Sequence, residues 1–248
     1  LILLLKVLLL SDLFITGSAL CSISIWNWVR NSFSWEAFSV KSFFLIAVLW
    51  LASFLSLSLS LKLVFLKSCD SKILNGFFNS LLNENNDHSN NSVLNLKSLD
   101  ISGNQLSAYH IESLLSAPQV NNLSMLSLKS NKLGQTGCYL VSNLIKSDCC
   151  KIKQLDLELN YVDNNGLVLL AEGFQFNKSI EEVILNRNLI SDTGVEFFSS
   201  ALLYNKILKK ISLNGNRITN KGLKYLGKYL KSNQCSAYEV LVGFNKVS

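Results

Sequence analysis

The sequence predicts an α/β solenoid, in which short parallel strands alternate with helices along a stack of similar coils. Two observations support this prediction. Around six asparagines the same apolar pattern appears, in the form L-x-x-L-x-L-x-x-N-x-L, and in most copies a helical run follows it. These asparagines lie 27, 29, 28, 28 and 29 residues apart, at Asn104, Asn131, Asn160, Asn188, Asn216 and Asn245. Such a period is typical of an architecture built from stacked repeats.

The clearest copy of the repeat covers residues Ile180 to Phe198. Its central apolar residues, Val183 and Leu185, alternate with polar or outward-facing positions, which predicts a short strand with one buried face. After Gly194 the apolar residues follow three- and four-residue steps, which predicts a helix that packs on the sheet. Because a helix connects each strand to the next, neighbouring strands are expected to be parallel.

Each repeated asparagine is expected to be buried at the turn after the strand, where it forms a structural ladder. Its amide has two donors and one acceptor, and it can bond backbone groups of adjacent coils. A buried polar group without a partner costs roughly 1–3 kcal/mol, which explains the preference for asparagine. A glycine follows in most copies and permits close backbone approach where the helix begins. In the first regular copy His110 occupies that position, and we interpret it as a helix-start residue and not as a metal ligand.

The pattern and its period resemble the leucine-rich repeat family. A period of about 28 residues and a long helical half are similar to the ribonuclease-inhibitor-like subclass. The resemblance implies a curved solenoid with the parallel sheet on its concave face and the helices on its convex face. It also implies intracellular roles, as ligand-sensing ends of innate-immune receptors, as inhibitors or as cytoskeletal scaffolds.

Two regions are predicted along the chain. Residues 96–248 hold about six regular repeats, of which the last is truncated, and residues 1–95 hold about three degenerate, strongly apolar repeats. In the third of these, Val64 takes the place of Leu99, and Cys69 takes the asparagine position. The polar segment Asn83–Ser92 is predicted to be a loop. Because the sequence begins with Leu1 and the last repeat stops soon after its asparagine, we expect the chain to be part of a longer protein.

The window Phe43–Leu61 has an alternative interpretation. It carries no charge over 19 residues, which is long enough to cross a membrane. The repeat pattern nevertheless continues through it, with Phe43 at an asparagine position. We therefore favour solenoid core over a membrane span for this window, and the protein is expected to contact a membrane only if the window spans one.

Composition limits the class of function. The chain of 248 residues has 23 Lys and Arg against 17 Asp and Glu, a net charge of +6. The cations are scattered over the helical halves, which predicts a solvated outer face and no binding of nucleic acid. The six cysteines form no C-x-x-C motif, and Cys149 and Cys150 are adjacent, so reduced thiols and a cytoplasmic location are expected.

The residues between the core leucines are the candidates for binding, because they project from the exposed side of each strand. Adjacent strands lie about 4.8 Å apart, so Asp156, Glu158 and Glu182 are expected to gather within about one nanometre. This acidic patch would suit a basic protein partner, or it is an ordinary solvated surface. Tyr161 and Phe244, near the ends of strands, are possible anchors or packing residues. The candidate partner-binding residues are Asp100, Lys129, Asp156, Glu158, Glu182 and Lys210.

The sequence predicts a non-catalytic protein–protein interaction module that binds its partner on the concave face or rim of the solenoid. No phosphate-binding loop, dinucleotide fingerprint, zinc-protease motif or serine-hydrolase motif is present, and no cofactor is expected. Two alternatives remain. One is an enzyme regulator similar to Ran GTPase-activating proteins, although the acidic tail typical of those proteins is missing here. The other is a membrane-anchored receptor, which requires Phe43–Leu61 to span a bilayer.

Overall fold

The computed structural model of the chain describes residues 59–62, 96–116 and 118–247. All of them belong to one compact unit, Leu55–Ser248, and the other unit, Leu1–Phe54, lies outside the described residues. The predicted loop Asn83–Ser92, the ladder position at Cys69 and most of the window Phe43–Leu61 also lie outside them. The predicted division into residues 1–95 and 96–248 therefore stays a prediction.

Strands and helices alternate along the described residues. The strands are β1 (Leu59–Lys62), β2 (Leu96–Asp100), β3 (Met125–Ser127), β4 (Gln154–Asp156), β5 (Glu182–Ile184), β6 (Lys210–Ser212) and β7 (Glu239–Leu241). The helices are α1 (Ala108–Ser116), α2 (Gly134–Lys146), α3 (Asn164–Phe176), α4 (Asp192–Leu202) and α5 (Asn220–Lys231), and a 3-10 helix (Pro118–Asn122) follows α1. These seven described strands form one parallel sheet in chain order. The helices pack on one another in the same order, which confirms the predicted α/β solenoid.

The register places equivalent residues of successive repeats side by side. Leu126 pairs with Leu155, and Leu155 pairs with Val183. These three side chains are fully buried, because they point from the sheet toward the helices. On the helical side, Phe174 and Phe198 meet edge to face with ring centroids 5.7 Å apart. The alternation read from the sequence thus gives the correct register from β2 onward and the correct buried residues in β2 to β6.

The repeat pattern is wrong at β1. It places Val64 in the position of Leu99, whereas the structure pairs Leu61 with Leu99 and Lys62 with Asp100. The two registers differ by three residues. Both fit the apolar pattern, because leucine alternates with serine up to Leu61, whereas all four residues from Leu63 to Leu66 are apolar. The apolar pattern alone therefore does not fix the register of this strand.

β1 also contains the last three residues of the apolar window Phe43–Leu61. Among the residues that the structure describes, no helix is both long enough and apolar enough to cross a membrane.

The predicted asparagine ladder is present. Asn104, Asn131, Asn160, Asn188 and Asn216 are between 0 and 6% exposed, and Asn245 is half-buried. Asn131 shows how one member joins two coils. Its Nδ2 donates to the carbonyl of Leu128 (2.8 Å) in its own coil and to that of Ile101 (3.1 Å) in the preceding coil, and its Oδ1 accepts from the N–H of Leu106 (2.9 Å).

Asn160 departs from the other members of the ladder. Its Nδ2 donates to the carbonyl of Leu128 (2.9 Å), but its Oδ1 is buried and has no hydrogen-bond partner among the described residues. In the preceding repeat Gly134, with a φ of 55°, lies three residues after the ladder asparagine Asn131. The equivalent residues of the other described repeats that continue into a helix are polar: Ser107, Asp163, Ser191 and Thr219. The N–H of Gly134 donates to the backbone carbonyl of Asn160 (3.0 Å). The coil therefore turns differently here, and one rung of the ladder is incomplete.

A second pair of asparagines, which the sequence analysis did not identify, joins coils beyond the ends of α3 and α4. Asn177 and Asn205 are 4% and 1% exposed. Asn177 donates to the carbonyl of Ile145 (2.8 Å), and Asn205 donates to that of Phe174 (2.6 Å). The signal in the sequence is weak, because this asparagine recurs in only two of the described repeats.

Two helices are capped by side chains from the preceding repeat. Oδ1 of Asp192 accepts from the N–H groups of Thr219 (2.7 Å) and Gly222 (2.9 Å), at the beginning of α5. Asn164 does the same for α4, since its Oδ1 accepts from the N–H of Gly194 (3.2 Å). A Cβ added to Gly222 would lie 2.5 Å from Oδ1 of Asp192, which explains why glycine follows the turn.

We expect Asp192→Ala to lower the free energy of unfolding by about 1–2 kcal/mol at neutral pH, because it removes this cap. Asp192→Asn should cost much less, because Asn164 caps α4 in the same way without a charge. Burial acts to raise the pKa of Asp192, but the hydrogen bonds from Thr219 and Gly222 outweigh it and hold the pKa below its ordinary value.

This lowered pKa gives the capping bonds a pH dependence. Their stabilisation is fully present above the unfolded value of about 3.9 and is lost as the pH falls through the folded pKa. Urea unfolding of the wild type and of Asp192→Asn as a function of pH measures the difference. The stability of the wild type should fall relative to the variant only below about pH 4. Equal acid sensitivity of the two proteins would show that protonation of Asp192 does not change the free energy of unfolding.

Candidate functional site

The exposed face of the sheet consists of the outward positions of the strands and of the residues that follow them. Pairing between strands places Gln154 beside Glu182, and Glu182 beside Lys210. Asp156 lies beside Ile184 in the next column. Most of these side chains are half-exposed, but Ser127, in the column of Asp156, is only 7% exposed. The face thus presents polar and charged side chains at fixed spacings.

Four of the predicted binding residues meet at one place on this face. Glu158 forms an ion pair with Lys129, with an Nζ to Oε2 distance of 2.9 Å. The Nε of Arg187 lies 3.9 Å from Oε1 of the same carboxylate. The Glu158 side chain is only 13% exposed, so both cations contact a largely buried carboxylate. Asp156 is close enough to Lys129, Glu158 and Asp100 to interact with all three electrostatically.

Arg187 was not among the residues predicted from the sequence. It directly precedes the ladder residue Asn188, at a position that the strand pattern does not assign to the sheet face. Its sequence position could have identified it, because Arg187 directly precedes a ladder asparagine, as Leu159 does in the preceding repeat.

Asp156 is held in place by its own turn. Its Oδ1 accepts from the N–H of Glu158 at 2.9 Å. Burial raises the pKa of Asp156 above its ordinary value, although the N–H of Glu158 and the charge of Lys129 act in the opposite direction. Asp156 and Glu158 are therefore parts of a bonded cluster, and the three predicted acidic residues do not form a simple patch of free carboxylates.

Glu182 and Lys210 belong to a second group. Their strand positions are adjacent, but Nζ of Lys210 lies 3.3 Å from Oε2 of Glu239, on the other side. This hydrogen bond raises the pKa of Lys210. Glu239 is a further acidic residue of the face that the sequence analysis did not select.

At the end of each strand the chain passes through the ladder asparagine, and we call the residues directly before and after each ladder asparagine the rim. The residue before the asparagine has a left-handed backbone in every regular repeat that is described. The φ angles are 70° at Gly103, 55° at Ser130, 55° at Leu159, 52° at Arg187, 69° at Gly215 and 56° at Phe244. Glycine adopts this conformation freely, whereas residues with a Cβ are disfavoured in it. In several repeats the rim therefore has a bulky residue at a position where glycine would fit without strain.

These bulky rim residues face solvent. Phe244 is 94% exposed, Tyr161 is 59% exposed and Leu159 is 39% exposed. Phe244, which lies in the last repeat of the sequence, therefore packs little against the described residues. Tyr161, directly after the ladder residue Asn160, also has a left-handed backbone, with a φ of 59°.

Two shallow grooves lie along the rim. The larger, of about 410 Å³, is lined by residues that include Lys132, Leu159, Tyr161, Arg187 and Leu189. The second, of about 390 Å³, is lined by residues that include Glu158, Arg187 and Phe244. Arg187 contributes to both grooves and to the ion-pair cluster, so it connects the rim with the sheet face.

The described residues offer few groups for acid–base or metal chemistry. Within them, no cluster of three or more His, Cys, Asp or Glu side chains is placed to hold a metal ion. Burial raises the pKa of Cys138 to about 12, so this thiol stays protonated at neutral pH. His110 serves its own helix, because its Nδ1 accepts from the N–H of Ser107 (3.1 Å) at the start of α1. This agrees with its interpretation as a helix-start residue.

Comparison with known proteins supports the leucine-rich repeat family. A family model described as leucine-rich repeat matches residues 94–108 and 204–227. A leucine-rich repeat-containing protein of Dictyostelium discoideum, AAC1, is 28% identical over 137 residues, which is 53% of this chain. The match covers 16% of the length of that relative.

Two solved structures show low overall similarity. One is the actin-binding site 2 of leiomodin-1, with 16% identity and a TM-score of 0.46, over 55% of this chain and 79% of that chain. The other is an internalin of Listeria monocytogenes, with 14% identity and a TM-score of 0.23, over 62% of this chain and 56% of that chain.

Proposed function

We propose that this leucine-rich repeat chain is a non-catalytic protein-interaction module that binds a partner protein across the exposed face of its sheet. The observation that supports the proposal most is the regular spacing of the outward side chains, which the repeats place on neighbouring strands about 4.8 Å apart. The hydrophobic core lies on the opposite side of the sheet, so the residues of the exposed face can suit a partner without loss of the core.

The charges of this face fit a basic partner surface. In the described repeats its carboxylates outnumber its lysines, with Asp100, Asp156, Glu158, Glu182 and Glu239 against Lys62, Lys129 and Lys210. The chain as a whole is basic, with a net charge of +6, so the acidic character is local. Electrostatic complementarity of this kind acts chiefly on the rate of association. We therefore assign the predicted residues Asp100, Lys129, Asp156, Glu158, Glu182 and Lys210 to the binding face.

We also propose that the protein belongs to the ribonuclease-inhibitor-like subclass and acts in the cytoplasm. Helices α2 to α5 have 11 to 13 residues, and the long helical half that they form supports the subclass. The four cysteines that the structure describes are free thiols, which supports a reducing compartment.

Neutralisation of two exposed carboxylates tests the binding face. Glu182→Gln with Glu239→Gln removes two charges that lie outside the buried Glu158 cluster, so the fold is expected to remain intact. The partner is first isolated by its binding to the wild-type protein. The variant should associate with this partner several-fold more slowly than the wild type at low salt, and the difference between the two rates should shrink at high salt. The measurement is the association rate at two ionic strengths.

Glu112→Gln with Glu172→Gln is the matched control, because these two glutamates lie on α1 and α3 and are both exposed. It removes two charges from the helical side and should leave the association rate unchanged. If the control slows association as much as the face variant does, the partner binds elsewhere or responds only to net charge.

A further inference from the structure

We propose that the rim is a second binding surface, and that it takes an extended acidic peptide segment with a bulky apolar side chain. The rim is separate from the carboxylates tested above, so the proposal does not depend on the binding face of the sheet. It rests on the apolar groove, on the charges around it and on the backbone conformation of the residues that form it.

The centre of the rim is apolar. Leu159, Tyr161 and Leu189 line one groove of about 410 Å³ between successive repeats. Leu159 and Tyr161 are both exposed, and Leu189 is half-buried. An exposed cluster of this kind, open along one side, suits one or two apolar side chains of a partner.

The charges of the rim are of one sign. Lys132, Arg187, Arg217 and Lys246 lie on it, and all four are exposed. Neither Asp nor Glu occurs at any rim position of the described regular repeats. Lys132 donates to Gln105 (3.3 Å), and among the described residues neither Lys132, Arg217 nor Lys246 has a carboxylate within ion-pair distance. A partner that approaches the groove therefore meets cations on both sides, which favours carboxylates next to its apolar residue.

The dimensions suit a short extended segment. Lys132 and Lys246 belong to repeats four strand spacings apart, a distance of about 19 Å, which an extended peptide of about six residues spans. A segment of this length meets the apolar cluster near its middle and cations near its ends.

The left-handed backbone distinguishes this surface from an incidental one. Gly103 and Gly215 occupy the same turn in two repeats, which shows that glycine satisfies the fold at this position. Leu159, Arg187 and Phe244 take the same conformation against its steric preference, and each presents its side chain to solvent. Strained residues of this kind persist at binding sites, where the side chain has a use that the fold does not supply.

The probe is a fluorescein-labelled peptide of about eight residues, rich in glutamate and with one central phenylalanine, a length that covers the rim. Fluorescence anisotropy measures its binding to the full chain at low and high salt. We expect saturable binding that weakens with salt. Replacement of the phenylalanine by serine, or of the glutamates by lysine, should each reduce the affinity about tenfold or more.

Variants of the protein locate the site. Arg187→Ala with Arg217→Ala should weaken binding of the peptide about tenfold, whereas Lys224→Ala with Lys231→Ala, which removes two exposed cations from α5, should leave it unchanged. Glu182→Gln with Glu239→Gln should also leave it unchanged, which separates the rim from the sheet face. Leu159→Gly removes the apolar wall but accepts a φ of 55°, so it should weaken binding several-fold and should unfold at a higher urea concentration than Leu159→Ala.

Three results would overturn the proposal. The first is equal binding of the acidic and basic peptides. The second is an equal loss of affinity in the α5 control. The third is tighter binding of a thymidine oligonucleotide than of the acidic peptide, which would mean that the rim recognises phosphate and not a peptide.

Discussion

Leu185→Ala is expected to lower the free energy of unfolding by about 2–5 kcal/mol. Leu185 directly follows β5 and is fully buried between the sheet and the helices. Truncation removes apolar contacts and leaves a cavity, because the ladder bonds on both sides prevent the coils from moving together. Urea unfolding followed by circular dichroism measures the change.

Ile184→Ala is the matched control, since Ile184 precedes Leu185 and faces the opposite side of the sheet. Its side chain is half-exposed, so the substitution should cost much less than Leu185→Ala. If Ile184→Ala costs more, the side chains of β5 point the other way and the register of the strand is shifted by one residue.

Asn188→Ala is expected to cost at least about 3 kcal/mol, because Asn188 carries the most complete rung of the ladder. Its Oδ1 accepts from the N–H groups of Asn160 (2.9 Å) and Val162 (3.0 Å), and its Nδ2 donates to the carbonyl of Leu157 (3.0 Å) in the preceding coil. Alanine leaves both of these buried N–H groups without their acceptor. Urea unfolding, combined with hydrogen exchange of the amides of Asn160 and Val162, measures the loss.

Asn160→Ala should cost less, about 1–3 kcal/mol, although Asn160 is the more deeply buried of the two. Its Oδ1 has no partner among the described residues, so its removal leaves no N–H group without an acceptor. Equal costs for the two substitutions would contradict the incomplete rung at Gly134 and would indicate that the N–H of Leu133 bonds Asn160 in solution.

Much of the fold could be predicted because one pattern is repeated. A strand assigned one residue out of place would not align with its asparagine as the other strands do. The agreement of strand and asparagine across six repeats therefore predicts the register from β2 onward. The same argument fails at β1. There leucine alternates with serine up to Leu61 and a continuous apolar run follows from Leu63 to Leu66, so the apolar pattern fits more than one register. The structure selects the register that places Leu61 beside Leu99.

The candidate site could be predicted only in part. The alternation of the strands identified Asp156, Glu158 and Glu182 as outward-facing, because that alternation is a local property of the chain. It did not show that Lys129 and Arg187 both contact Glu158, since these contacts join three different repeats. The side chains that meet between repeats depend on the length and direction of each rotamer, which a periodic pattern does not contain.

The sequence by itself determined the repeat, the burial of the ladder asparagines and the face that each strand residue occupies, because all three follow from a short pattern that recurs about every 28 residues. The tertiary structure alone decided that Asp192 caps the helix of the next repeat and that Oδ1 of Asn160 accepts no hydrogen bond from the described residues. It also decided that the residue before each ladder asparagine adopts a left-handed backbone. The physical reason is the range of the interactions. Apolar alternation acts within one coil, whereas caps, ion pairs and the turn at the rim depend on how one coil is placed against the next.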